Sequence, residues 1–167
     1  MNSISKLIFN KLKKGGKIFI CGNGGSAADA QHLAAEFLVR LRPHINRKPI
    51  PAISLALDTS TLTACGNDYN FNSIFSRNLE ALAGKKDVLI AISTSGKSKN
   101  IIEVLKCSKK KKIFSFCLLG KDGGNAKKIC NKSIIVPSSN VARIQESHIL
   151  LGHTLFEKIE DLILLKK

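Results

Sequence analysis

A histidine and a carboxylate stand four residues apart in an Ala-rich helical pattern near the start of the chain. His32 and Glu36 follow a short apolar segment and a glycine-rich loop. At this spacing the two side chains share one face of a helix, where they could hold a Zn²⁺ ion or exchange protons with a substrate. The same stripe also carries Asp29 and Arg40, and on spacing alone an ordinary solvated helix face explains it better.

A second pair of polar side chains lies in a long apolar helical pattern near the C-terminus. Gln145 and His153 are eight residues apart, so they lie on roughly one face of that helix. Such residues among leucines and isoleucines are either hydrogen-bonded core groups or members of a site. The residues alone favour the core interpretation.

A serine-rich segment predicts an anion site. It contains four hydroxyl side chains and a glycine: Ser93, Thr94, Ser95, Gly96 and Ser98. The segment stands where an apolar strand pattern gives way to a helical one, and a helix start stabilises anions through its unpaired N–H groups and dipole. A plain helix N-cap would need fewer hydroxyls, so we favour a phosphate site over a cap.

The rest of the chain alternates apolar strand patterns with longer helical patterns. Strands are predicted at 17–21, 52–57, 88–93, 113–119 and 133–136. Helices are predicted at 3–14, 26–41, 70–83, 99–110, 124–130 and 142–165. This order predicts an α/β fold with a doubly wound, five-stranded parallel sheet in a three-layer αβα sandwich. Ligands bind such sheets at the carboxyl ends of the strands, where the glycine-rich and serine-rich loops would meet.

The composition narrows the function classes. The chain has 27 Lys and Arg residues against 12 Asp and Glu residues, a formal net charge of +15. One Tyr and no Trp offer no platform for stacking bases, so we interpret the excess as a solvated lysine surface that also attracts anionic substrates, and we do not expect nucleic-acid binding.

Length and cysteine usage predict where the protein works. Its 167 residues suit one domain, and no apolar run approaches the ~20 residues that cross a bilayer. The five cysteines form no CxxC pair, which is typical of reduced thiols. We therefore expect a cytoplasmic protein without a membrane segment.

Four blocks of sequence resemble the phosphoheptose isomerases, a family of sugar isomerase (SIS) domains. They are CGNGGSAADAQH at 21–32, GND at 66–68, STSG at 93–96 and ARIQESH at 142–148. The resemblance extends in order from about Gly15 to the end. It implies a flavodoxin-like single SIS domain over residues 1–167, with a shorter N-terminal helix than is usual in the family.

The resemblance also implies an activity, the conversion of D-sedoheptulose 7-phosphate to D-glycero-D-manno-heptose 7-phosphate, which is the first step toward the ADP-heptose of lipopolysaccharide. It implies one zinc ion per subunit, held by His32, Glu36, Gln145 and His153. Glu36 and His153 match the catalytic acid–base positions of the family. The implied substrate-binding residues are Asn23, Gly24, Gly25, Ser26, Glu36, Arg40, Asn67, Asp68, Ser93, Thr94, Ser95, Ser98 and Gln145. The implied partners are the sugar phosphate and further copies of the chain in a homotetramer.

Two alternatives stay open. One is a non-catalytic SIS-domain protein that binds a replication initiator. The resemblance implies that such a protein lacks the acid and base at the positions of Glu36 and His153, both of which are present here. The other is a sugar-phosphate sensor that binds nucleic acid, which only the net charge favours, since no helix-turn-helix pattern accompanies the sheet.

Overall fold

The computed structural model describes residues 1–56 and 58–165. Its strands are β1 (Ile18–Cys21), β2 (Ala52–Ser54), β3 (Val88–Ser93), β4 (Phe114–Gly120) and β5 (Lys132–Val136). Its helices are α1 (Asn2–Lys13), α2 (Gly25–Leu38), α3 (Thr59–Asp68), α4 (Ile74–Leu82), α5 (Lys99–Lys110), α6 (Ala126–Ile129) and α7 (Val141–Leu164), with a 3₁₀ turn at Phe71–Ser73.

The strands form one sheet in the order β2-β1-β3-β4-β5, and every neighbouring pair is parallel. The chain moves outward from β1 to β2 and then crosses back past β1 to β3. The strand order therefore reverses between β1 and β3, which is the point where open α/β sheets bind ligands. The predicted doubly wound, five-stranded parallel sheet is confirmed.

Helices cover both faces of the sheet and bury two apolar clusters. Helices α1, α2 and α7 pack on one face, where Phe37 and Phe156 are fully buried. Helices α3 to α6 contribute to the cluster on the other face, which includes Phe75 and Leu105. Burial on both faces explains why the central strands are almost continuously apolar.

The segment after β2 differs from the prediction. The strand predicted at 52–57 ends at Ser54, and residue 57 lies outside the described residues. The polar segment that follows is not a loop, because Asp58 caps α3 by accepting a hydrogen bond from the amide of Ser60 at 3.0 Å. Three threonines and three other cap-preferring residues (Ser60, Asn67 and Asp68) weaken the helical pattern of α3, so residue propensities did not predict this helix.

Helix α2 is also shorter than predicted, since it ends at Leu38 rather than at residue 41. The carbonyl oxygens of Glu36 and Phe37 would bond to residues 40 and 41 in a longer helix. They instead accept hydrogen bonds from the guanidinium of Arg47, at 2.7 and 3.0 Å. Arg40 consequently lies beyond the helix, and the helical stripe predicted from the sequence stops at Glu36.

The remaining boundaries agree closely with the sequence patterns. Strand β3 and helix α5 have the predicted ends, and most other elements differ by one or two residues. The helix predicted at 70–83 is divided into the 3₁₀ turn and α4.

Helices α2 and α7 run parallel and approach each other closely. The rings of Phe37 and Phe156 stack with their centroids 3.7 Å apart. One turn earlier on each helix, Leu33 faces Gly152, and a Cβ at residue 152 would lie 2.7 Å from Leu33 Cδ1. The missing side chain of Gly152 therefore sets the distance between these helices.

Gly152→Ala should lower the free energy of unfolding by about 1–3 kcal/mol, because the added methyl group overpacks against the buried Leu33. Urea denaturation followed by circular dichroism measures the change. Gly66→Ala is the matched control, since a Cβ on this α3 residue meets nothing within 4 Å. The control should be neutral or stabilising by up to about 1 kcal/mol. A Gly152→Ala protein as stable as the wild type would contradict the close packing.

Candidate active site between α2 and α7

Three side chains that could bind a metal converge between the two helices. The candidate ligand atoms of His32, Glu36 and His153 all lie within 4.8 Å of one another. His32 Nε2 is 2.9 Å from His153 Nε2 and 3.4 Å from Glu36 Oε1. The side chain of His32 is 48% exposed and that of Glu36 is 19% exposed, so the cluster is accessible from solvent.

The donor set fits a zinc ion. Imidazole nitrogen and carboxylate oxygen are common zinc ligands. Two Nε2 atoms at hydrogen-bonding distance need a proton on one of them or a cation that binds both lone pairs. In addition, Glu36 Oε2 is buried and has no hydrogen-bond partner among the described residues. A buried oxygen without a partner is expected where a protein binds a cation or moves protons.

Gln145, the remaining predicted ligand, projects from α7 toward the start of α2. A Cβ at Gly25 would lie 2.4 Å from Gln145 Nε2, so the amide packs directly against the Gly25 backbone in this arrangement. In the described part of the chain, Gln145 makes no hydrogen bond to the histidine–glutamate cluster. Gln145 therefore lies between the same two helices, but it does not contact the other three side chains through a described hydrogen bond.

The glycine-rich loop after β1 is fixed by a pair of amides. Asn23 Nδ2 donates to Asn100 Oδ1 at 2.9 Å, and Asn100 Nδ2 donates to Asn23 Oδ1 at 2.8 Å. Gly24 adopts a positive φ of 55°, and the buried Ser26 donates its backbone N–H to the Asn23 carbonyl at 3.0 Å. These bonds join the loop after β1 to the first turn of α5, across the switch point of the sheet.

The serine-rich segment forms a tight turn between β3 and α5. Ser93 Oγ accepts a hydrogen bond from the Gly96 amide at 3.0 Å. Gly96 has a φ of +62°, and a Cβ there would lie 2.0 Å from the Gly123 carbonyl oxygen. Ser98 is the N-cap residue of α5, yet its hydroxyl makes no capping hydrogen bond. The hydroxyl is therefore available to a ligand, as is that of Thr94, for which the described structure shows no hydrogen bond.

A cavity of about 570 Å³ opens beside this turn. Its lining includes Lys97, Lys99, Lys106, Glu103 and Asn125. Lys106 is paired with Glu103 at 2.7 Å, which leaves two lysines in excess and a lining of net positive charge that favours an anionic occupant.

Three further predicted substrate residues, Arg40, Asn67 and Asp68, lie at or beyond the ends of α2 and α3. Arg40 is exposed beyond the end of α2 and makes no hydrogen bond or ion pair within the described residues. Asn67 and Asp68 end α3, where Asn67 Nδ2 donates to Asp68 Oδ1 at 2.9 Å. Neither residue is joined by a described hydrogen bond to the cluster or to the serine-rich turn.

Comparison with known proteins identifies the family. A model of the SIS domain matches residues 1–114. Phosphoheptose isomerase 1 of Campylobacter jejuni is 53% identical over 158 residues, which are 95% of this chain and 84% of that protein. This chain belongs to the phosphoheptose isomerase family. Solved phosphoheptose isomerases from Neisseria gonorrhoeae and Francisella tularensis are similar, with TM-scores of 0.88 and 0.90 and identities of 42% and 37%. In both cases the match covers 95% of this chain and 83% of the other.

The protein is therefore an enzyme, an isomerase of the aldose–ketose type. These relatives lend no support to the alternative of a non-catalytic initiator-binding protein. Within the described residues, no helix is both long and apolar enough to cross a membrane.

The sequence patterns did not connect two polar residues of the isomerase, Asp29 and His148, whose side-chain atoms are buried between α2 and α7. Asp29 Oδ2 on α2 and both ring nitrogens of His148 on α7 are buried without a hydrogen bond of ordinary geometry among the described residues. Burial raises the pKa of Asp29, although His148, His32 and His153 oppose the shift. Burial lowers the pKa of His148, against the influence of the Leu119 backbone and of Asp29. Their position on two separate helices gave no local signal.

Two further residues that support the site were also missed. Asn100 is 2% exposed on the apolar face of α5, and a polar residue on such a face was the available signal. Arg47 lies in an irregular segment without any pattern, so nothing in the sequence linked it to α2.

His148 should make folding sensitive to acid. The pKa of this buried group is lowered from its ordinary value of 6.5, so at and below that pH the unfolded chain binds a proton that the folded chain does not. Lowering the pH from 7 to 5 should therefore reduce the free energy of unfolding. The reduction should be smaller in His148→Leu.

Chemical denaturation at several pH values measures this dependence. His44→Leu is the control, because His44 is exposed and should leave the slope unchanged. Parallel pH curves for wild type and His148→Leu would rule out His148 as the source. Asp29 affects stability in the opposite direction. Because its pKa is raised, at a pH just above 3.8 the folded chain keeps a proton that the unfolded chain has lost, and this favours the folded state as the pH falls.

Proposed function

We propose that the enzyme converts D-sedoheptulose 7-phosphate to D-glycero-D-manno-heptose 7-phosphate, and so supplies the heptose for the ADP-heptose of lipopolysaccharide core. The observation that carries the proposal is the cluster of His32, Glu36 and His153 between α2 and α7. Membership of the phosphoheptose isomerase family supports the same reaction.

In this proposal, Glu36 and His153 carry out the proton transfers. Interconversion of a ketose and an aldose removes a proton from one of two adjacent carbons, C1 or C2, and returns a proton to the other through an enediol. The protons on the two oxygens must exchange as well. Glu36 has a buried oxygen without a partner that can accept a proton, and His153 can donate or accept through its ring nitrogens.

We propose that His32, Glu36, Gln145 and His153 hold one zinc ion. When bound, zinc supplies polarisation of the substrate carbonyl and stabilises the negative charge that develops on its oxygen. The fit of the donor set supports this assignment for His32, Glu36 and His153, whereas Gln145 is included on the family resemblance.

The serine-rich turn is proposed to bind the phosphate group of the substrate. Ser93, Thr94, Ser95 and Ser98 would supply hydroxyls and the start of α5 would supply N–H groups. Anchoring the phosphate fixes the far end of the sugar and limits where its C1 and C2 can lie. Asn23, Gly24, Gly25, Ser26, Arg40, Asn67 and Asp68 complete the proposed substrate-binding set.

We further propose a cytoplasmic homo-oligomer, a tetramer by family resemblance. The free state of all five cysteines supports a reducing compartment. Exposed apolar side chains on the helices of the site support association, since Leu150 is 66% exposed and Val39, just after α2, is 74% exposed.

Glu36→Gln should lower kcat by about two to four orders of magnitude, because an amide cannot accept the proton that the carboxylate removes. The assay follows turnover of sedoheptulose 7-phosphate by the purified enzyme supplied with zinc. Glu157→Gln is the matched control, as this exposed α7 glutamate should keep wild-type turnover. Near-normal turnover by Glu36→Gln would refute the proposed base.

His32→Ala should weaken zinc binding by at least about tenfold, because it removes one nitrogen from the donor set. Competition with a chromophoric chelator measures the dissociation constant without any need for turnover. His44→Ala, which removes an exposed histidine outside the cluster, should bind zinc like the wild type. Equal zinc affinity in the two variants would exclude His32 as a ligand.

A further inference from the structure

An ion cluster with a buried centre joins α7 to the segment after α2, beyond the candidate active site. Glu160 on α7 is fully buried, and each of its carboxylate oxygens accepts from a different arginine. Arg47 Nε donates to Oε1 at 2.5 Å, and Arg42 Nε donates to Oε2 at 2.6 Å. Arg42 also donates to Asp161 Oδ1 at 2.6 Å, so two guanidinium groups and two carboxylates balance their charges.

Arg47 connects this cluster to the backbone of α2. Its side chain is 1% exposed. Its Nη2 donates to the Glu36 carbonyl at 2.7 Å, and its Nη1 donates to the Phe37 and Lys48 carbonyls at 3.0 and 3.2 Å. The guanidinium thus caps the C-terminal turn of α2 while it pairs with a carboxylate on α7.

The two ends of this connection carry active-site side chains. The α2 carbonyl that Arg47 holds belongs to Glu36 itself. On α7, Glu160 follows His153 by seven residues, which is two helical turns on the same face. A change in the Arg47–Glu160 pair would therefore move Glu36 relative to His153.

Apolar packing of Leu33 on Gly152 and of Phe37 on Phe156 sets how closely the helices approach. Packing does not satisfy the carbonyl groups at the end of α2, which need hydrogen-bond donors. A buried ion pair gives little net stability compared with apolar residues of the same size. Its hydrogen bonds are directional, however, and they fix one arrangement of the helix end.

We propose that Arg47 and Glu160 are positioning residues of the isomerase, whose ion pair sets the location of Glu36 relative to His153. This role rests on the proposed function of Glu36 and His153. The role predicts that a variant with a weakened ion pair loses more activity and zinc affinity than a variant that is equally destabilised at another site.

The test compares Glu160→Gln with Asp87→Asn. Asp87 is also a buried carboxylate, but it directly precedes β3 and accepts from the amides of Lys17 and Gly84 at 2.7 Å each, with no hydrogen bond to α2 or α7 among the described residues. Both variants should melt at a lower temperature than the wild type. Glu160→Gln should lower kcat about 10- to 100-fold with KM within about twofold, because the phosphate anchor is untouched. Asp87→Asn should keep the wild-type kcat and KM.

Two readouts that do not need turnover accompany the kinetics. Zinc affinity, measured with a chromophoric chelator, should fall about 10- to 100-fold in Glu160→Gln and stay constant in Asp87→Asn. Amide hydrogen exchange in the last turn of α2 should accelerate in Glu160→Gln alone, because the Arg47 cap loosens. Arg47→Lys keeps the positive charge but loses the planar guanidinium, so it should show smaller changes in zinc affinity and hydrogen exchange in the same direction. This variant replaces Glu160→Gln in the test if Glu160→Gln does not fold.

The outcomes separate the two proposals. If Glu160→Gln, or Arg47→Lys in its place, keeps wild-type kcat, zinc affinity and exchange in α2, the ion pair is only a structural contact and the positioning role is overturned. If the wild type does not turn over sedoheptulose 7-phosphate, the proposed function fails. In that case, faster exchange confined to Glu160→Gln would still support the coupling of Glu160 to the end of α2.

Discussion

The candidate active site depends on the parallel, close packing of α2 against α7. Every member of the donor set lies on one of these helices, which are more than a hundred residues apart in the sequence. Three contacts keep the helices in register along their length: Gly25 with Gln145, Leu33 with Gly152, and Phe37 with Phe156. At Gly152 the absence of a side chain is what allows this approach, because a Cβ there would press against the buried Leu33 and separate the helices.

The sheet supplies the second half of the site. Because the strand order reverses between β1 and β3, the loops that follow these strands diverge and leave a crevice. The reciprocal amide pair of Asn23 and Asn100 holds the two loops at a fixed distance. The first loop leads directly into α2 and the second into α5. The serine-rich turn therefore stands at the carboxyl ends of the strands, whereas His32 and Glu36 lie two to three turns into α2.

The polar groups near this edge are incompletely satisfied, which is informative about function. Glu36 Oε2, Asp29 Oδ2 and both His148 nitrogens are buried without ordinary hydrogen-bond partners. In general, a buried polar group that stays without a partner costs about 1–3 kcal/mol, so such groups are rarely kept without a function. All of them lie on α2 or α7, the helices that carry the active-site cluster. By contrast, the buried Glu160 and Asp87 have complete sets of partners, as expected for groups whose role is to fix structure.

The sequence by itself determined the fold class, the strand positions and the types of residue at the site. Those features depend on local patterns, since an apolar run, a glycine turn or an i,i+4 pair is read within a few residues. Local propensity failed at α3, where threonines hid a helix, and at the end of α2, where Arg47 caps the helix from outside it. Spacing alone left His32 and Glu36 on a solvated stripe and assigned Gln145 and His153 to the core. The family resemblance implied that these residues share one ion, but the spacing could not show this. The tertiary structure brings His32, Glu36 and His153 into one cluster, because the contact between α2 and α7 depends on how distant segments pack around a shared sheet.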